Sequence, residues 1–348
     1  MTSIQHALEL FPRDVDALVA ELGLPRFTGK QILDWIYAKK IDSIDAMSNI
    51  SKNHREALAE LIKMRRSKVI TTKKASDGTI KKLLAWDGGL KRTETVMIPA
   101  KMRRTACVSS QVGCPVGCTF CASGIGGLEG NLSVGQIVEQ VILLGASNIT
   151  NVVFMGMGEP LSNYNAVTRA IRIINGSWGL GIGARKITVS TVGLPAAIER
   201  LATFDIPITL ALSLHASNDE LRKQLIPWAK FATIEDILKA CDGYFEATGR
   251  EVTLEYLLLR GINDRVSHAK ELVALCKKLR CNVNLIRYNE VEGLPFERPE
   301  TKQVRRFQET LEKSNVNSHI RASRGRDIAA ACGQLKREFS QITTEESS

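Results

Sequence analysis

The sequence predicts an α/β protein: a partial (β/α)6 barrel with a small helical domain and a β-meander on its N-terminal side. Three observations predict it. From Thr105 onward, six short apolar segments alternate with stretches of helical periodicity, which implies parallel strands joined by right-handed crossovers. Polar residues recur where those segments end, at Glu159, Ser190, Ser213, His215 and Asn289. Strand ends converge in this way on the mouth of a barrel rather than along an open sheet. Finally, 348 residues with 44% apolar content suit one main domain with appendages.

The elements follow in order. Residues 1–65 read as a helical accessory domain: Asp14 opens DVDALVAELGL, Thr28 caps GKQILDWIYAKK, and Ser43 precedes a longer amphipathic run to Ile62. Residues 66–104 read as a β-meander, with turns at Ser76-Asp77-Gly78 and Asp87-Gly88-Gly89. The barrel and its C-terminal extension occupy 105–340. Its strands are TACVSS, NVVFMG, KITVST, ITLALSLH, EVTLEYLLL and NVNLIRY. Helices are expected near 133–146, 163–175, 194–204, 218–226, 233–248 and 265–279. A helix over 302–314, a strand over 318–323 and a helix over 327–338 follow. The tail 341–348 is expected to be disordered.

Lys and Arg number 47 against 37 Asp and Glu, a formal charge of +10. Such a surplus favours a polyanionic partner, RNA or DNA first, although a solvated basic face explains it equally well. No apolar window nears the roughly 18 residues of a membrane span, and the start MTSIQHALELFPRD lacks a basic segment before an apolar one. A cytoplasmic protein without a membrane partner is expected.

The cysteines carry the chemistry. Four of the eight crowd into 107–121, which is no disulfide framework. Cys114-Pro-Val-Gly-Cys118-Thr-Phe-Cys121 follows the first barrel strand. Three thiolates on one loop hold three corners of an iron–sulfur cubane and leave the fourth iron open to a reactant. A zinc site needs four ligands, and only Cys107 is near enough in sequence to be the fourth. After the second strand, Met155-Gly156-Met157-Gly158-Glu159-Pro160 offers glycines for close backbone approach and a carboxylate for an ammonium. Cys241, Cys276 and Cys281 show no second cluster spacing and read as ordinary thiols.

The spacing C-x3-C-x-Phe-C after the first strand of a β/α barrel resembles the radical-SAM superfamily. More narrowly, Cys107-Val-Ser-Ser-Gln-Val-Gly-Cys114, Asn131-Leu132-Ser133, Gly156-Met157-Gly158-Glu159 and Ser190-Thr191-Val192-Gly193 resemble the RlmN/Cfr family of RNA adenine methyltransferases. So do Ser213-Leu214-His215, Asn284-Leu285-Ile286-Arg287-Tyr288-Asn289 and Ala331-Cys332-Gly333-Gln334-Leu335. The likeness runs through roughly 90–336, and the helical N-terminal region fits the family's accessory domain.

The resemblance implies a radical-SAM barrel with a [4Fe–4S] cluster on Cys114, Cys118 and Cys121. It implies two molecules of S-adenosyl-L-methionine (SAM) per turnover, with contacts from Gly158, Glu159, Ser190, Ser213, Leu214, His215 and Asn289. It makes Cys332 the cysteine that is methylated and carries the carbon to RNA, Cys107 the cysteine that resolves the RNA adduct through a disulfide, and Glu94 the base. The implied substrates are a 23S rRNA adenosine in the peptidyl-transferase region, methylated at C2, and adenosine 37 of tRNA. The implied electron donor is flavodoxin-like or ferredoxin-like, and the implied enzyme is a monomer. Lys101, Arg103, Arg104 and the basic residues of 298–306 and 321–337, through Arg337, are expected to grip phosphates. One departure keeps C8 methylation open: Leu128 and Gly130 stand where C2-methylating members commonly carry Phe and Arg, whereas Pro160 looks C2-like. A zinc-stabilised RNA-binding protein without catalysis is the remaining alternative.

Overall fold

The structure, a computed structural model, describes residues 5–64, 67–146 and 148–335. One ten-stranded sheet runs through it: β1 (Ser67–Lys74), β2 (Ile80–Trp86), β3 (Lys91–Ala100), β4 (Arg103–Cys107), β5 (Asn151–Phe154), β6 (Ile187–Thr191), β7 (Thr209–Ser213), β8 (Val252–Leu258), β9 (Cys281–Arg287) and β10 (Ser318–Arg321). Spatial order equals sequence order. β1 to β4 pair antiparallel; β4 to β10 pair parallel. The meander therefore continues directly into the barrel, Val96 of β3 facing Cys107 of β4. Among the described residues β10 does not pair with β4, so the barrel stays open on that side.

The crossover helices are α4 (Val134–Leu143), α5 (Tyr164–Asn175), α6 (Pro195–Ala202), α7 (Asp219–Leu225), α8 (Ile234–Thr248), α9 (Val266–Cys276) and α10 (Thr301–Glu312); α1 (Pro12–Glu21), α2 (Thr28–Leu33) and α3 (Lys52–Leu61) precede them in the chain. Local chemistry sets their starts. Ser133 and Gln136 form a capping box on α4, and Thr233 and Asp236 another on α8.

Three helical expectations in the N-terminal region are corrected. α1 begins at Pro12, not Asp14; Asp14 instead accepts the Phe11 N–H from inside the first turn, 2.9 Å away. The stretch after Thr28 loosens into a π-turn over Asp34–Ala38. The run after Ser43 breaks into a short turn, Ile44–Ala46, and a separate helix that Ser51 caps.

This region shares one core with the barrel, Ala7, Leu18 and Ile36 belonging to the same buried cluster as Val152 and Leu254. Glu9 Oε1 caps the N-terminus of α4, accepting from Ser133 Oγ at 2.5 Å and Gly135 N at 3.0 Å, where helix dipole and free N–H groups favour an anion. A Cβ on Gly135 would lie 2.6 Å from His6 Nδ1, so only glycine admits this docking.

The expected helix over 327–338 is also corrected. Only a short turn, Arg326–Ile328, forms among the described residues there. Gly325, Ala329 and Gly333 have φ of 65°, 50° and 84°, and the carbonyls of Ala329, Cys332 and Gly333 are bound by other parts of the chain. Left-handed backbone and diverted carbonyls leave no helical ladder. Arg337 and the tail 341–348 lie outside the described residues.

Candidate active site

The site is built at the C-terminal ends of the barrel strands. A short ribbon, Gln111–Gly113 against Leu128–Asn131, pinches off the loop that carries Cys114, Cys118 and Cys121. Thr119 N donates to the Leu225 carbonyl at 3.0 Å, tying the loop to α7. On its other side Ala122 N donates to the Gly333 carbonyl at 2.9 Å, and Ser123 Oγ to the Leu335 carbonyl at 2.6 Å. These two bonds bring Cys332 to the three clustered thiols, and all four cysteines line one cleft of about 980 Å³ including its open mouth.

Burial pushes the Cys114 thiol up to about 12, with Cys121 and Glu159 adding to the effect. Burial also raises Cys118 and Cys121, and for Cys118 the other two thiols add repulsion. Three half-buried sulfurs that repel one another when ionised need a multivalent cation to become ligands. Among the described residues, no three Cys, His, Asp or Glu groups converge as a single metal ion requires. The donor set fits a cubane cluster.

Glu159 is buried, and each oxygen accepts a backbone N–H: Oε1 from Leu161 at 3.0 Å, Oε2 from Val192 at 2.8 Å. Burial pushes its carboxyl up to about 7. Gly158 earns its place by packing: its φ is 99°, and a Cβ would lie 2.6 Å from that of Gln111. The glycine segment thus closes on the protein's own strand end as well as on the cleft. Ser190 and Ser213 share a hydrogen bond of 3.1 Å on the cleft wall. His215, at φ 57°, accepts the Leu257 N–H on Nδ1 at 3.1 Å, and Phe120 meets its ring edge-on. Burial and nearby Arg222 push His215 down to about 3, so it stays neutral.

Two residues expected at the cofactor, Leu214 and Asn289, are not among those lining this cleft. Leu214 is fully buried, its N–H bound to the Glu255 carbonyl. Asn289 Nδ2 donates to the Cys332 carbonyl at 3.2 Å, and Asn289 lines a second cavity, the barrel lumen, of about 1670 Å³ including its open mouth. Cys107 is buried against Ala330 and Leu335, with burial and then Cys332 raising its thiol to about 12. Cys332 is open to the cleft, yet surrounded by enough protein that its thiol rises to about 11, Arg321 opposing the rise. All eight cysteines are free thiols, so the implied disulfide is not present. Glu94 is buried in an ion pair with Lys81 and lies outside the walls of both cavities.

Sequence reasoning missed Arg222 and Glu255, and it read Arg321 as a phosphate grip, whereas Arg321 lines both cavities. Arg222 is almost wholly buried and donates to the carbonyls of Leu214 and Val192, bracing two strand-end loops. Arg321 Nη1 lies 3.7 Å from Glu255 Oε2. A charged residue inside an otherwise apolar strand, as in EVTLEYLLL, was the available signal.

Comparison with known proteins agrees with this geometry. Residues 108–273 match the radical SAM superfamily, and residues 8–64 match the ribosomal RNA large subunit methyltransferase N-terminal domain. A probable dual-specificity RNA methyltransferase RlmN of Gloeobacter violaceus is 46% identical, the match spanning 92% of this chain and 91% of that one. A dual-specificity RNA methyltransferase RlmN of Nitratidesulfovibrio vulgaris is 44% identical, spanning 92% and 90%. The crystal structure of a radical SAM methyltransferase from Sphaerobacter thermophilus superposes with a TM-score of 0.92 at 40% identity, over 95% of this chain and 99% of that one. With a thiol-lined cleft at the barrel mouth and relatives of this kind along nearly its whole length, the chain belongs to the RlmN family of SAM-dependent, [4Fe–4S]-containing radical-SAM RNA methyltransferases.

Proposed function

We propose that the protein methylates C2 of a 23S rRNA adenosine in the peptidyl-transferase region and of adenosine 37 in tRNA, with Cys332 as carbon carrier. The observation that carries this reading is the shared cleft: Cys332 opens onto the same space as Cys114, Cys118 and Cys121, over 200 positions away in sequence. The dual-specificity names of the relatives support two RNA substrates.

C2 of adenine lies between two ring nitrogens, is electron-poor and has no lone pair with which to displace a methyl group. Bound at the three thiols, the cluster with SAM supplies one-electron radical chemistry that such a carbon requires. The chain's own residues do the rest. Glu159 and the Ser190–Ser213 pair orient the ligand in the cleft. Arg321 favours the Cys332 thiolate that takes up the carbon, and Asn289 holds that residue by its carbonyl. Cys107 resolves the RNA adduct by attacking the Cys332 sulfur: the S–S bond forms, the S–CH2 bond breaks, the released carbon takes a proton to become the methyl group, and the external donor then reduces the disulfide. A base role for Glu94 requires that Lys81 release it. Two SAM molecules serve each turnover, a flavodoxin-like or ferredoxin-like donor supplies electrons, and the enzyme works as a cytoplasmic monomer.

Nucleoside mass spectrometry of both RNAs after reaction with the reconstituted protein tests this. 2-Methyladenosine in both is expected. Only 8-methyladenosine overturns the C2 assignment, and no methylated adenosine in either overturns the function.

A further inference from the structure

Inside the barrel one carboxylate oxygen is left without a donor. Glu255 sits on β8 with its side chain inward, 3% exposed. Its Oε1 accepts from Asn284 Nδ2, its register neighbour on β9, at 3.0 Å. Its Oε2 is buried with no hydrogen-bond partner among the described residues; the Arg321 Nη1 contact of 3.7 Å is too long for one. A buried carboxylate oxygen left this way costs free energy unless a ligand completes it.

Its position says which ligand. Glu255, Arg321 and Cys332 line both the cofactor cleft and the lumen cavity, so they mark the waist where the two meet. A packed barrel interior is mostly Val, Ile and Leu. This lumen is lined instead by polar groups, among them Thr188, Thr209, Thr253 and Asn284. It also reaches Arg103 on the β4 side and Arg324 beyond β10, the side where the barrel is open. A polar slot with cations at its rim and an acceptor at its depth suits a base that carries an exocyclic amine on a phosphate backbone.

We infer that Glu255 is a specificity-determining residue: its Oε2 accepts an N–H from the exocyclic amine of the target adenine, which enters through the lumen cavity, while Asn284 and Arg321 hold the carboxylate in place. The inference rests on the RNA-adenosine reading above. A base with a carbonyl at that position would set oxygen against oxygen and be rejected.

The test uses the holoenzyme and two RNA strands that differ only in adenosine or inosine at the target. Wild-type protein should favour adenosine by roughly 100-fold or more in kcat/KM, as sites built around a substrate N–H do. The same order of preference should hold in equilibrium binding without reductant, where no turnover occurs. Glu255→Gln keeps the shape and can donate to O6, so the preference should shrink by roughly tenfold or more in both measurements; Glu255→Ala should also shrink it. An adenosine preference unchanged in Glu255→Gln, or absent in wild type, overturns the assignment. A wild-type protein that methylates no adenosine at all is a different failure, that of the parent reading, and takes this inference with it.

Discussion

Lys81 Nζ lies 2.6 Å from Glu94 Oε1, the two side chains only 5% and 1% exposed, and the same ammonium donates to the Ala329 carbonyl at 3.1 Å. One buried ion pair on the meander therefore holds the segment that leads to Cys332. The neighbouring turn adds to the grip: Asp77 accepts from Gly325 N, and Asp327 accepts from Ser76 N.

Removing one partner strands a buried charge. Lys81→Met should cost roughly 3–5 kcal/mol of stability, while Lys81→Met with Glu94→Leu should recover most of it. Chemical denaturation of the three proteins checks this; a double variant no more stable than the single one contradicts it.

On the proposed reading, Cys114, Cys118 and Cys121 are the cluster's three protein ligands. Cys114→Ala, Cys118→Ala or Cys121→Ala should abolish bound iron and SAM cleavage together. Iron and sulfide analysis after anaerobic reconstitution reads this, and a triple variant that still binds four irons would be incompatible with the site.

Cys332 and Cys107 should fail differently. Mass spectrometry of active protein should find an added methylene on the peptide containing Cys332, and Cys332→Ala should stop RNA methylation. In Cys107→Ala the thioether to RNA cannot be resolved, so the purified protein should carry covalently bound RNA. A fully active, RNA-free Cys107→Ala protein refutes the two-cysteine scheme.

His215 ties stability to pH. Its folded value, about 3, lies below the unfolded 6.5 because burial disfavours the charged ring. The unfolded chain then binds the extra proton, so stability is intact above pH 6.5 and falls as pH drops below it, through the window down to about 3. At pH 5 the loss should be roughly 2 kcal/mol. Denaturation of wild type and His215→Gln at pH 7.5 and 5 measures it; equal losses in both would remove His215 as the cause.

Much of the site was legible in the chain. Three thiols on one loop are a local pattern, and strand-end polar residues such as Ser190 and Ser213 follow from the alternation of strands and helices. The N-terminal boundaries were less so. Asp14 has the chemistry of a cap, and whether it acts before the helix or from within its first turn depends on Pro12 fixing the start.

What the sequence alone determined is the β/α order, the three-thiol loop and the family likeness, because each rests on residues close together along the chain. What only the tertiary structure decided rests on residues far apart. The Cys332 segment looked helical, but Lys81, Asn289 and Ala122 take its carbonyls, and those partners lie 43 to 248 positions away. Glu94 read as a strand carboxylate, and only the sheet set Lys81, from the neighbouring strand, against it. Glu255 was one more strand carboxylate until the barrel turned it inward between two cavities. Hydrogen bonds and ion pairs across a sheet are set by register and packing, and neither is written in local propensity.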